Sequence, residues 1–218
     1  MTLKAVLFDF DGTLVDSEAL HYHSWCKVLA PYGIGYSEAT FCDEFSGVPT
    51  LESAAILAKR HQLPRSAEAL TDEKNRYFIE TAKTMVPNLM PGAKTVLAQL
   101  QGQVRLALVT GSSKAEAMPV LQHYGLLDYF ETIVCKEDVT APKPHPAPYL
   151  QALARMQLSA EQAVAIEDSG TGLQSALAAE LRTIVIPNAH SKDQNFNGAW
   201  YRAVHLEDAV KTLLALAK

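Results

Sequence analysis

Cysteine is scarce in this sequence: Cys26, Cys42 and Cys135 are the only three, odd in number and widely spaced. Such a set suits neither a disulfide framework nor a CxxC metal site, and it implies a reducing, cytoplasmic setting. A surplus of positive charge is also missing. Lys and Arg number 19 against 24 Asp and Glu, for a formal net charge of −5 and a pI near 5.8. A non-specific phosphate-backbone binder needs a clustered cationic excess, so nucleic acid is not expected as the main partner, although single anionic sites stay open. No apolar run reaches the length of a signal-peptide core or a membrane helix, because the first one meets Asp9 and Asp11 almost at once. Internal repeats and low-complexity tracts are lacking too. The expectation is a soluble cytoplasmic protein with no membrane partner. Its 218 residues, 48% hydrophobic, suffice for one domain or for a core with a smaller insert.

What is present is an alternation. Ala5 to Phe8, Val104 to Val109, Thr132 to Val134, Ala163 to Ile166 and Thr183 to Ile186 are short apolar runs of the kind buried on both faces of a sheet. Gly92 to Leu100, Lys114 to Tyr124, Pro146 to Met156 and Gly172 to Ala179 return apolar residues at three- and four-residue spacing, as does a closing segment from Leu206 to Leu216. Strand alternating with helix predicts an α/β protein with a parallel sheet covered on both sides. From Ser17 to about Val86 the alternation stops, and helical patterns marked by Trp25, Val28, Ala54, Leu57 and Phe78 take over. About 70 residues is too long for a plain βα loop, so this stretch reads as an inserted helical subdomain, with Pro91-Gly92 marking the return.

Polar clusters sit where the strands of a parallel sheet end, which is where such sheets bind ligands. Asp9 and Asp11 follow the first run, Thr110-Gly111-Ser112-Ser113 the second, Lys143 lies in the loop after the third, and Glu167-Asp168 follow the fourth. Each has an ordinary explanation alone. Asp11-Gly12 reads as a hairpin turn, Thr110 to Ser113 as a helix cap, Lys143 as a surface cation on a stiff loop, and Glu167-Asp168 as acids at a helix start. Their shared position argues otherwise. Two aspartates spaced i, i+2 offer a nucleophile and a proton carrier. Hydroxyls and backbone N–H groups at a helix start form an anion site, a lysine supplies counter-charge, and paired carboxylates select magnesium. A carboxylate is an adequate nucleophile at phosphorus once metal and lysine neutralise the phosphoryl oxygens.

Asp9-Phe10-Asp11-Gly12-Thr13-Leu14-Val15-Asp16-Ser17, Thr110 after Leu108-Val109, Lys143-Pro144 with Pro146, and Ile166-Glu167-Asp168-Ser169 resemble the four ordered motifs of the haloacid dehalogenase-like superfamily. The resemblance spans the whole chain and is strongest to the β-phosphoglucomutase and sugar-phosphatase branch. It implies a Rossmann-like core of residues 1–15 and 89–218 with an all-helical cap of residues 16–88. It further implies Asp9 as the phosphorylated nucleophile and Asp11 as general acid, then base. Asp9, Asp168, Glu167 and the backbone carbonyl of Asp11 would hold Mg2+. Thr110 would donate to the phosphoryl oxygens with support from Gly111 and Ser112, and Lys143 would tie Asp9 to the phosphate. Dehalogenases of this superfamily lack the second aspartate of the first motif, so Asp11 speaks against attack at carbon.

Within the expected cap, Glu18, His21, Thr50 and Lys74 are candidate substrate contacts. His21 and His23 otherwise read as half-exposed helix residues, Trp25 as core, and Lys74 with Arg76 as part of a solvated charged face. Thr50 stands where the mutases of this branch carry a phosphate-gripping arginine, which favours hydrolysis. Ala179-Glu180-Leu181 departs from the Ala-Gly frequent in relatives and is expected to alter a helix end only. The expected function is a magnesium-dependent phosphatase for a small sugar or polyol phosphate, acting as a monomer. A phosphosugar mutase is the alternative. A non-catalytic binding protein of the same fold would have lost an essential group, and none is missing.

Overall fold

The computed structural model describes residues 3–82 and 84–216. Its main sheet is parallel throughout and runs in the order β5 (Thr132–Val134), β4 (Arg105–Val109), β1 (Ala5–Phe8), β6 (Ala163–Glu167), β7 (Arg182–Val185), β8 (Tyr201–Arg202). β1 is central because its four residues are apolar on both faces, and each is wholly buried. Val6 and Phe8 pack with Leu106, Leu108 and Ile166 under helices α5 (Ala93–Leu100), α6 (Lys114–Tyr124) and α9 (Leu206–Leu216). Ala5 and Leu7 face the other way, with Ala107, Val109 and Ala165, toward α7 (Ala147–Met156) and α8 (Gly170–Ala178). Burying each large apolar side chain contributes about 1.5–3 kcal/mol. Tyr149 of α7 belongs to this second, alanine-rich layer.

The chain divides into two compact units, Met1–Asp16 with Asn88–Lys218 and Ser17–Pro87. Among the described residues the second holds helices and no strand: α1 (Glu18–Leu29), α2 (Glu38–Phe45), α3 (Thr50–Arg60) and α4 (Ala67–Ala82). Its core holds Trp25, Val28, Leu29, Phe41, Phe45, Ala54, Leu57 and Leu70. No helix among the described residues is long and apolar enough to cross a membrane.

Two details differ from the sequence-based expectations. The turn after Phe10 is present, with Gly12 at φ +81°, but β1 and β2 (Val15–Asp16) form no hairpin; β2 pairs instead with β3 (Asn88–Leu89) in a separate antiparallel ribbon. Lys74 is not on a solvated face: it is 1% exposed, with its ammonium 4.5 Å from the centre of the Phe78 ring, whereas Arg76 is exposed. At the end of α8, where the departure from Ala-Gly was expected to act, Glu180 has φ +62°, a left-handed conformation that glycine adopts without strain and glutamate does not.

Candidate active site

The sheet ladder continues past the strand ends and fixes the loops that carry the polar groups. The Asp9 N–H donates to the Ile166 carbonyl at 2.9 Å, the Thr110 N–H to Val134 at 2.9 Å, and the Ile186 N–H to Glu167 at 2.7 Å. Asp9, Thr110, Ser112, Lys143, Glu167 and Asp168 are all buried. At the centre is the Lys143 ammonium, whose Nζ donates to Asp9 Oδ1 (2.6 Å), Glu167 Oε1 (2.6 Å) and the Val109 carbonyl (2.9 Å). Its three protons have three acceptors. Burial works to lower its pKa, but the Asp9 and Glu167 carboxylates prevail and hold it above the ordinary lysine value.

Asp9, Glu167 and Asp168 each offer a carboxylate oxygen within 4.8 Å of the others. Three carboxylates against one ammonium leave an excess of negative charge in a dry place. The Asp9 carboxyl is accordingly pushed up to about 7, first by burial and then by the Glu167 charge, with Lys143 opposing. Glu167 Oε2 is buried and has no hydrogen-bond partner among the described residues. An orphaned buried carboxylate oxygen is costly unless a cation takes it. An all-oxygen donor set of this kind fits a hard divalent ion such as Mg2+, and the residues present are therefore compatible with the expected metal.

Asp11 has other partners. Its Oδ2 accepts from Ser112 Oγ (2.7 Å) and Thr110 Oγ1 (3.2 Å), while the Ser112 N–H donates to Thr110 Oγ1 at 2.9 Å. Ser112 thus acts on Asp11, a role beyond the phosphate contact expected of it. Gly111 is exposed at the same loop. The start of α6 is less available to an anion than expected: the Ser113 N–H donates to Glu116 (2.8 Å) in a capping box and the Lys114 N–H to Glu137 (3.0 Å).

Two glycines are dictated by close approach. A Cβ on Gly12 would lie 2.2 Å from Asp168 Oδ2, and one on Gly172 would lie 2.0 Å from Glu167 Oε2. Gly12→Ala is therefore expected to displace Asp168 and to strain the backbone at φ +81° as well, lowering kcat/KM at least tenfold. Steady-state kinetics beside a thermal melt checks this, and a variant with unchanged kcat/KM contradicts it.

Two residues were missed by sequence reasoning. Tyr149, wholly buried on α7, donates from its hydroxyl to Glu167 Oε1 at 2.6 Å, with its ring centre 5.1 Å from the Lys143 ammonium. Burial first, and then the Glu167 and Asp9 charges, hold this phenol well above its ordinary pKa. Asn188, beyond the end of β7, donates from Nδ2 to Asp168 Oδ2 (2.8 Å) and the Gly12 carbonyl (3.4 Å), and its Oδ1 accepts from the backbone of His190 and Ser191. Its strand-end position was the available signal; Tyr149 has the spacing of a core residue and gave none.

The four remaining candidates belong to the helical unit. Glu18 accepts from Ser46 Oγ at 2.8 Å, half-buried His21 lies with its ring centre 4.6 Å from that of Phe78, Thr50 opens α3 half-buried after Pro49, and Lys74 is buried as described. Trp25 is core.

Comparison with known proteins gives a consistent set. Residues 6–186 match the family model of the haloacid dehalogenase-like hydrolases. A phosphorylated carbohydrates phosphatase of Thermotoga maritima is 32% identical over 84% of this chain and 84% of its own length. The fructose-1-phosphate phosphatase YqaB of Escherichia coli is 31% identical over 82% of this chain and 94% of its own. Among solved structures, CbbY from Rhodobacter sphaeroides in complex with phosphate superposes with a TM-score of 0.79 at 28% identity, covering 92% of this chain and 93% of that one.

Proposed function

The chain belongs to the haloacid dehalogenase-like hydrolases and is a phosphoric monoester hydrolase, and we propose that its substrates are small sugar or polyol phosphates, hydrolysed with Mg2+ through a phosphorylated Asp9. The observation that carries the reading is the Lys143 ammonium shared between Asp9 and Glu167, with Asp168 close by and a Glu167 oxygen left unpartnered among the described residues. Asp9, Asp168 and Glu167, with the Asp11 backbone carbonyl, are the groups that would hold the ion. When bound, Mg2+ supplies positive charge to the phosphoryl oxygens and to the crowded carboxylates.

In this scheme an Asp9 carboxylate oxygen attacks phosphorus in line, and the bond to the ester oxygen breaks. Asp11 delivers its proton to the departing alcohol. Water then attacks the acyl phosphate, Asp11 takes a proton from it, and Asp9 is released as carboxylate together with inorganic phosphate. Lys143 keeps Asp9 oriented and balances charge, while Thr110, Ser112 and the Gly111 backbone meet the phosphoryl oxygens. Thr110 and Ser112 hold Asp11 through the same hydroxyls. Phosphate binding and release of the Asp11 carboxyl are therefore linked in this reading.

The test is phosphate release from hexose, hexitol, triose and nucleotide monophosphates, with and without chelator. Sugar and polyol esters are expected to be preferred over nucleotides by about tenfold or more. Chelation is expected to lower release on the order of 100-fold, with recovery on adding Mg2+. Undiminished release from thoroughly stripped enzyme would overturn the metal scheme. A hexose phosphate isomerised in the presence of a bisphosphate, without free phosphate, would convert the reading to a mutase.

A further inference from the structure

Glu167 stands out among the acidic groups because its two oxygens are treated so differently. Oε1 accepts two hydrogen bonds, from Lys143 Nζ and from the Tyr149 hydroxyl, each at 2.6 Å. Oε2 accepts none among the described residues, although it is as deeply buried. The carboxylate also lies against the backbone of α8 so closely that Gly172 has no room for a Cβ. Lys143 alone does not fix this orientation, since it divides its protons among Asp9, Val109 and Glu167. The Tyr149 hydroxyl donates only to Glu167 and comes from a ring anchored in the apolar layer beneath the strands, beside Ala5, Leu7 and Val109. A rigid donor on a rigid element is what holds a ligating carboxylate in one rotation.

We propose that Tyr149 is a positioning residue for the cation site: its hydroxyl pins Oε1 of Glu167 and so turns Oε2, the oxygen with no protein partner among the described residues, toward the divalent ion. This rests on the metal reading given above for the three carboxylates. Tyr149 lies on α7, outside all four motif loops. The phenol touches no reacting atom, and its effect is carried wholly by Glu167.

Tyr149→Phe is a clean probe, because it keeps the ring, the packing and the ring's contact with Lys143 and removes only the donor. Binding of Mn2+, used as a surrogate hard-oxygen cation, is followed by the paramagnetic resonance signal of the free ion, for wild type, Y149F, E167Q and the double variant. Y149F is expected to weaken Mn2+ binding about 10- to 100-fold, the usual cost of losing an outer-shell partner. At saturating Mg2+ the KM for the phosphate ester should stay within about twofold. In the Glu167→Gln background the Tyr149 substitution should change Mn2+ binding by less than about twofold, since the two residues act as one unit. A dissociation constant for Y149F within about twofold of wild type, with or without a lower Tm, overturns the proposal and leaves Tyr149 a packing residue. Wild-type protein that binds no Mn2+ overturns the underlying metal reading instead, so the two failures are told apart.

Discussion

Asp9→Asn is expected to lower kcat/KM by about 10^4- to 10^6-fold while leaving the melting temperature within a few degrees of wild type. Asparagine has the same shape, and its amide oxygen still accepts from Lys143, which reaches Asp9 Oδ1 at 2.6 Å. Burial and the ammonium contact are thus kept, and the nucleophile alone is lost. An amide oxygen cannot form the acyl phosphate on which the scheme depends. Rapid acid quench with a phosphorus-labelled ester gives the matching observation: label on the wild-type polypeptide and none on the variant. Turnover at a tenth of the wild-type rate in the asparagine variant would remove Asp9 from the role of nucleophile.

Lys143→Met separates charge from shape at the same place. The methionine fills a similar volume, but Asp9 and Glu167 are left facing one another with no cation between them. Breaking a buried pair from one side costs about 3–5 kcal/mol. For a chain of this length that corresponds to a melting temperature lower by about 10 °C, read in chelator so that no divalent ion masks the loss. Turnover at saturating Mg2+ is expected to fall about 10^2- to 10^4-fold, since Asp9 loses both its orientation and a positive neighbour for the transferring phosphoryl group. Lys143→Arg is not expected to rescue it. One ammonium nitrogen meets Asp9, Glu167 and Val109 from a single point, and a planar guanidinium cannot reproduce that fan. A methionine variant with wild-type melting and activity would show that the ammonium is dispensable.

Legibility from the sequence depended on the kind of signal each residue gave. β1 was legible residue for residue because Ala5–Phe8 is buried on both faces and nothing polar interrupts it, and α6 and α9 likewise matched their periodic stretches. β8 was invisible: Tyr201–Arg202 is two residues long, exposed and at the sheet edge, so it owes its conformation to the Ile184 and Val185 backbone beside it. The strand-end clusters could be named early because parallel sheets gather their loops along one edge. The second layer behind them could not. Tyr149 looks like any aromatic on the apolar face of a helix until the hydroxyl is seen to meet Glu167. The burial of Lys74 is a similar case, since its neighbours Asp72, Glu73 and Arg76 suggest water, yet the side chain is 1% exposed with its ammonium over the Phe78 ring.

The small ribbon of β2 and β3 has a consequence for how such enzymes diversify. It sets Val15 opposite Leu89 and Asp16 opposite Asn88, the very residues at which the polypeptide leaves for its helical excursion and comes back. Antiparallel partners lie about 5 Å apart. A doubling of the excursion's length would cost only about 0.6 kcal/mol in closure entropy. All six strands of the main sheet come from outside it. The segment is therefore a cassette with a fixed socket, open to replacement by recombination without shifting the register of a single catalytic strand.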